Sequence, residues 1–187
     1  CERRGKLTVW ITSTTHMSQG LSVEIERELG NHLVRLGLTL ATAESCTGGL
    51  LAHRITNVPG SSAYYVGGFV TYANEAKEAQ LGVRLETLVA YGAVSSETAL
   101  EMARGARERM GADVALSTTG IAGPDGGTPE KPVGLVYVAL SAEGLEHYEC
   151  HVWRGSSSGL DERLDNKERS VDAALGLLLT YLQGLDK

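Results

Sequence analysis

Apolar side chains at Leu21, Ile25, Leu29, Leu33 and Leu36 recur every three or four residues and Gly37 follows them, so the spacing predicts an amphipathic helix over 22–35. A β-branched and apolar run over 38–43 then reads as a strand, and after a polar turn with two glycines the run Leu50, Leu51, Ile55 reads as a helix. Residues 57–62 carry turn chemistry, and 66–72 form a second strand whose Gly67 and Gly68 imply close backbone approach. Asn74 is placed to cap a helix over 75–81, Gly82 ends it, and a short helix over 86–90 follows. The next helix covers 96–110, with Ala99, Met102, Ala103, Ala106 and Met110 on one side and Gly111 at its end. A third strand is expected at 114–118, and strands at 133–140 and 145–153 join through Glu143-Gly144 as a hairpin. Residues 155–159 have linker composition, and a long helix over 160–182 presents Leu164, Val171, Leu175, Leu178 and Leu182 inward.

Helices before, between and after strands imply a three-layer α/β/α sandwich, and the hairpin implies that its sheet is mixed. A chain of 187 residues with 42 % hydrophobic content has room for one such α/β domain. Residues 1–16 are expected to be a non-native leader, because His16-Met17 resembles a junction ahead of a start methionine; the domain is expected over 17–187.

Composition narrows the function. Three cysteines, Cys1, Cys46 and Cys150, are an odd number without metal-ligand spacing, which argues against a disulfide framework and a zinc site. His147, Glu149 and His151 alternate along a strand, which is the ordinary pattern of a half-exposed one, and no metal is expected. A formal net charge of -6 disfavours nucleic acid as the main ligand, since binding to phosphate backbones relies on clustered Lys and Arg. No apolar run is long enough to cross a bilayer, so a cytoplasmic location, a small-molecule partner and no membrane association are expected, with a homodimer as the expected assembly.

Candidate chemistry centres on 39–50. Ser45 and Cys46 fall where a strand passes into a helix, close to the unpaired amides and positive dipole end that stabilise an oxyanion. A serine at such a turn also serves as a plain helix cap. Lys77 falls in the first turn of its predicted helix, where the dipole disfavours a cation and so favours a neutral amine able to act as a base. The competing view is a solvent-exposed helix lysine. Tyr72 lies close enough in sequence to relay a proton or position a substrate. Cys46 is the rival nucleophile, activated by the helix end in a set with Glu44 and Lys77, or else a small buried hydrophobe. The loop over 119–129 lacks the Gly-Lys-Ser/Thr ending of a nucleoside-triphosphate loop, but its glycines can bend N–H groups around one phosphate or carboxylate.

The stretches Thr42-Ala43-Glu44-Ser45-Cys46-Thr47-Gly48-Gly49, Gly68-Phe69-Val70-Thr71-Tyr72-Ala73-Asn74-Glu75-Ala76-Lys77, Thr119-Gly120-Ile121-Ala122-Gly123-Pro124-Asp125-Gly126-Gly127 and Lys131-Pro132-Val133-Gly134 together resemble the CinA C-terminal domain family. The resemblance runs from about Val23 to the chain end. It implies hydrolysis of the carboxamide of nicotinamide mononucleotide to nicotinate mononucleotide and ammonia, with no cofactor. Ser45 would be the nucleophile, Lys77 the base and Tyr72 a supporting residue, with amides around Thr47, Gly48 and Gly49 holding the oxyanion. Asn74, Thr119, Gly120 and Gly123 would contact the substrate. The family's arginine near the start of the last helix follows a Gly-Asp pair; here 155–160 looks inserted and Asp161-Glu162-Arg163 stands in its place, so Arg163 takes that role. A non-catalytic nucleotide-binding or interaction module, and a cysteine amidase acting through Cys46, are the alternatives.

Overall fold

The computed structural model describes residues 19–153 and 160–185. The expected leader at 1–16 and the expected linker at 155–159 lie outside the described residues. In chain order the elements are α1 (Gln19–Leu36), β1 (Leu40–Glu44), α2 (Leu50–Thr56), β2 (Tyr65–Val70), α3 (Asn74–Ala76), α4 (Leu85–Tyr91), α5 (Ser96–Met110), β3 (Val114–Gly120), β4 (Leu135–Ala142), β5 (Leu145–Val152) and α6 (Leu160–Leu185). Their strands form a five-stranded sheet in the order β2-β1-β3-β4-β5. β1 pairs in parallel with β2 and β3, whereas β4 runs antiparallel to both β3 and β5. The sheet is therefore mixed, as the hairpin implies.

Two-residue alternation sorts the side chains of β1 and β3 onto two faces. Leu40, Val114 and Leu116 face the layer of α1, α2 and α6, where they pack with Leu29, Leu33, Leu51, Ile55, Leu175 and Leu178. Ala41, Ala43 and Ala115 face the other layer and pack with Leu81, Leu88, Met102 and Ala106. Small residues on that face admit α5 closely: a Cβ on Gly105 would overlap the Leu81 carbonyl. On the first face, the buried guanidinium of Arg54 on α2 bonds Glu26 of α1 and Asp172 of α6, each at 2.6 Å, tying the three helices together. The arrangement is the three-layer α/β/α sandwich.

Several boundaries depart from expectation. β2 ends at Val70, so Thr71 and Tyr72 leave the sheet. The expected cap Asn74 is instead the first helical residue; Ala73 occupies the cap position without a side-chain bond. That helix also widens at once into a π-type turn over Lys77–Leu81, closed by the Val83 amide on the Lys77 carbonyl at 3.2 Å. β3 runs to Gly120, which places Thr119 and Gly120 in the sheet rather than in the loop, because both continue the antiparallel ladder with β4. β4 starts only at Leu135. Leu164, expected inward on α6, is 51 % exposed, whereas Val171, Leu175, Leu178 and Leu182 are buried. Among the described residues no helix is long and apolar enough to cross a membrane.

Candidate functional site

The carboxyl ends of the parallel strands β1, β2 and β3 open on one edge of the sheet, where chain direction switches between the two helical layers. Open α/β sheets bind ligands at such points. The polar turn over 45–49 lies at this edge, between β1 and α2. Its Ser45 amide donates to the Thr118 carbonyl at 2.9 Å, continuing the β1–β3 ladder by one residue. Side-chain alternation then separates its neighbours. Glu44 points toward α2, while Ser45 points toward the layer that carries Lys77.

Glu44 has no exposed surface, and its carboxylate is fully engaged. Oε2 accepts from the Gly49 amide (2.9 Å), the Leu51 amide (3.0 Å) and the Thr47 hydroxyl (2.7 Å); Oε1 accepts from the Ala52 amide (2.9 Å). The first turn of α2 contains no acidic residue, so this carboxylate from the preceding strand supplies the negative charge that its orphan amides require. Two of the amides expected around an oxyanion therefore have partners within the turn and its strand. The Gly49 amide is bound to Glu44, the Gly48 amide donates to the Ser45 carbonyl at 3.2 Å and the Cys46 amide faces its own thiol, leaving the Thr47 amide as the turn's donor without a hydrogen-bond partner among the described residues. Sequence reasoning missed the role of Glu44. Its signal was an acidic residue at a strand end followed by a helix without acidic residues of its own.

Lys77 is 0 % exposed, which overturns the reading of an exposed helix lysine. Its Nζ lies 2.8 Å from the Thr71 carbonyl, 3.2 Å from the Tyr72 carbonyl and 3.2 Å from Ser45 Oγ. Burial lowers its pKa from the ordinary 10.5, against smaller opposite effects from Cys46 and Glu75. The two carbonyls can only accept, so a neutral amine would spend both N–H bonds on them. Its lone pair is then left for the Ser45 hydroxyl. Cys46 is buried beside Ser45, and desolvation pushes its thiol up to about 12. The thiolate needed for a cysteine mechanism is thus strongly disfavoured at neutral pH.

Above this pair, Tyr72 is 61 % exposed, and its hydroxyl accepts from Arg163 at 2.9 Å. Arg163 also donates to the Gly123 carbonyl at 2.7 Å, so α6, the segment after β2 and the glycine loop converge over the turn. Asn166, fully buried, donates from Nδ2 to the Ala122 carbonyl at 3.0 Å and anchors the same loop. Other expected contacts are placed differently. The Thr119 hydroxyl is spent on the Ala93 carbonyl at 2.6 Å, Asn74 is exposed, and Gly120 packs against Leu135 and Val136 too closely for any Cβ. Elsewhere, Glu149 and His151 pair at 2.9 Å and His151 stacks on Trp153. Among the described residues no group of three or more His, Cys, Asp or Glu could hold a metal ion.

Fold and site together define a class: a three-layer α/β/α domain in which a buried lysine meets a serine at a strand-to-helix turn. Residues 22–182 match the family model described as the CinA C-terminal domain, and the chain belongs to that family. It is 54 % identical over 158 residues to a CinA-like protein of Chloroherpeton thalassium, covering 84 % of this chain and 37 % of that protein. To a putative competence-damage inducible protein of Halothermothrix orenii it is 60 % identical over 156 residues, covering 83 % and 37 %. The chain thus spans little more than a third of the length of these relatives. Among solved structures, the competence/damage inducible protein CihA from Agrobacterium tumefaciens superposes with a TM-score of 0.82 at 43 % identity, covering 90 % of this chain and 99 % of that one.

Proposed function

We propose that this domain hydrolyses a carboxamide by a serine–lysine mechanism, with nicotinamide mononucleotide as substrate and nicotinate mononucleotide and ammonia as products. The observation that carries the reading is the fully buried Lys77, whose Nζ stands 3.2 Å from Ser45 Oγ with two carbonyls taking its N–H bonds. Neutral Lys77 accepts the Ser45 proton as Oγ attacks the carboxamide carbon. The Thr47 amide is the candidate donor to the oxyanion, for which preorganised N–H groups are the usual stabilisers. Collapse of the tetrahedral intermediate breaks the C–N bond, and Lys77 returns the proton to the leaving nitrogen, which departs as ammonia. Water then attacks the acyl ester, giving its proton to Lys77 and, through it, to Ser45. The buried thiol of Cys46 favours serine over cysteine as the nucleophile.

The experiment is ammonia release from nicotinamide mononucleotide in buffer containing a chelator, with Ser45→Ala and Lys77→Ala alongside. Each variant is expected to lose about a thousandfold or more in turnover while retaining its circular dichroism spectrum. Near-wild-type turnover in either would overturn the assignment, and mononucleotide binding without ammonia release would favour a binding module instead.

A further inference from the structure

The first turns of α6 carry an uneven charge arrangement. None of Asp161, Glu162, Asp165 and Glu168 stands three or four residues from Arg163 or Lys167, the spacing at which helix side chains meet, and neither cation forms an ion pair among the described residues. Asp165 is paired with Arg169 at 2.9 Å, and Glu168 reaches Arg54 at 3.7 Å on the side toward α2. Arg163 instead bonds the Gly123 carbonyl and the Tyr72 hydroxyl, both uncharged. Lys167, half-buried and four residues on, lies on the same helix face. Its Nζ stands 3.8 Å from where a Cβ of Gly48 would be, directly beside the turn that carries Ser45. Glu44, the carboxylate beneath that turn, is occupied by three amides and a hydroxyl. Lys167 thus borders this turn and Arg163 acts on its Cys46 thiol, with the Glu162 carboxylate set off toward the loop, 3.8 Å from where a Cβ of Gly123 would be, in a chain with a formal net charge of -6.

We propose that Lys167 acts with Arg163 as a grip for the anionic group of the substrate, making Lys167 a specificity residue that favours a phosphate-bearing amide over the same amide without phosphate. Charged groups held at the rim of a cleft attract and orient an oppositely charged ligand, and a flexible ammonium suits a phosphate as a point charge. The inference rests on the amidase reading for its kinetic test, though not for its binding test.

The kinetic test compares nicotinamide mononucleotide with its dephosphorylated riboside in the wild type, Lys167→Met and Lys167→Arg. For the mononucleotide, Lys167→Met is expected to raise KM about tenfold to a hundredfold with a much smaller change in kcat, the size of a lost charge-assisted hydrogen bond. The riboside should lose far less, so the preference narrows, and Lys167→Arg should restore most of it. An equal loss for both amides, or no change for either, would overturn the proposal. If the wild type releases ammonia from neither amide, the amidase reading fails on its own, and calorimetric titration with the mononucleotide still decides the grip. Weaker binding by Lys167→Met in the same range, diminishing as salt is raised, supports it; equal affinity, or no binding by the wild type, refutes it.

Discussion

Lys77 is an amine with no solvent to hold its charge, and its neighbours are carbonyls and a hydroxyl rather than carboxylates. Its protonation therefore sets a pH dependence whose sign follows directly. The protonated amine has no lone pair and cannot take the Ser45 proton; burial lowers the pKa, so the active neutral form gains population as pH rises, at a lower pH than the ordinary 10.5 would allow. The expected kcat/KM profile climbs with pH through this lowered value and then levels, with its break below 10.5, as a stopped ammonia assay across pH would record. Because burial pushes the Cys46 thiol up to about 12, no thiol ionisation should mark the same profile at lower pH, and Cys46→Ala should still show a single acidic limb. The composition of the segments around Ser45 and Lys77 made both residues candidates. The family resemblance paired them, but their distance across 32 positions depends on how β2 ends and where the following turn goes.

At the scale of elements, the turn over 45–49 is held by its preceding strand. A helix whose first turn has no acidic residue leaves amides unpaired at its N-terminus, and Glu44 meets that need from β1. Glu44→Gln keeps the shape but replaces one accepting oxygen with a donor that faces N–H groups. It should lower stability by about 1–3 kcal/mol. Thermal unfolding monitored by circular dichroism measures that loss, and a fall in turnover beyond what unfolding explains would show that the Ser45 turn loosens with it. The same scale explains the misplaced boundaries. Thr119 and Gly120 sit in a stretch whose glycines and proline suggest a loop, yet the β4 partner extends the ladder through them before the chain turns at Ile121. Strand ends are set by the neighbouring strand, which local composition does not contain.

Across the whole molecule, the position of Lys77 depends on α5. That helix presses against the Leu81 carbonyl at Gly105, and Leu81 closes the π-type turn that begins at Lys77. Gly105→Ala would drive a methyl group into this backbone and displace the turn or the helix. The expected cost is about 1–3 kcal/mol, as for other overpacked contacts. If the shift reaches Lys77, turnover should fall with KM for the substrate little changed, a split that steady-state kinetics can read. On the opposite layer, Arg54 joins α1, α2 and α6 through Glu26 and Asp172, so the helix that carries Arg163 and Lys167 is anchored to the helix that starts at the Ser45 turn. The Ser45 turn is thus flanked by Lys77 from one helical layer and by Lys167 of α6 from the other.

By itself the sequence determined the element order, the apolar faces of α1 and α5, the hairpin that makes the sheet mixed, and the polar strand-to-helix turn, because periodicity and turn chemistry are local properties. Leu164 marks the limit of that reading: its spacing fits the inward stripe of α6, but at this turn Arg163 and Asn166 take the contacts with the glycine loop and leave the Leu164 side chain exposed. Only the tertiary structure decided that Lys77 is buried beside Ser45, that Glu44 occupies the amides nearest the glycines, and that Arg163 reaches Tyr72 and Gly123 while Lys167 stands beside Gly48. Each of these joins segments distant in sequence, through burial and charge compensation that exist only once the layers have packed.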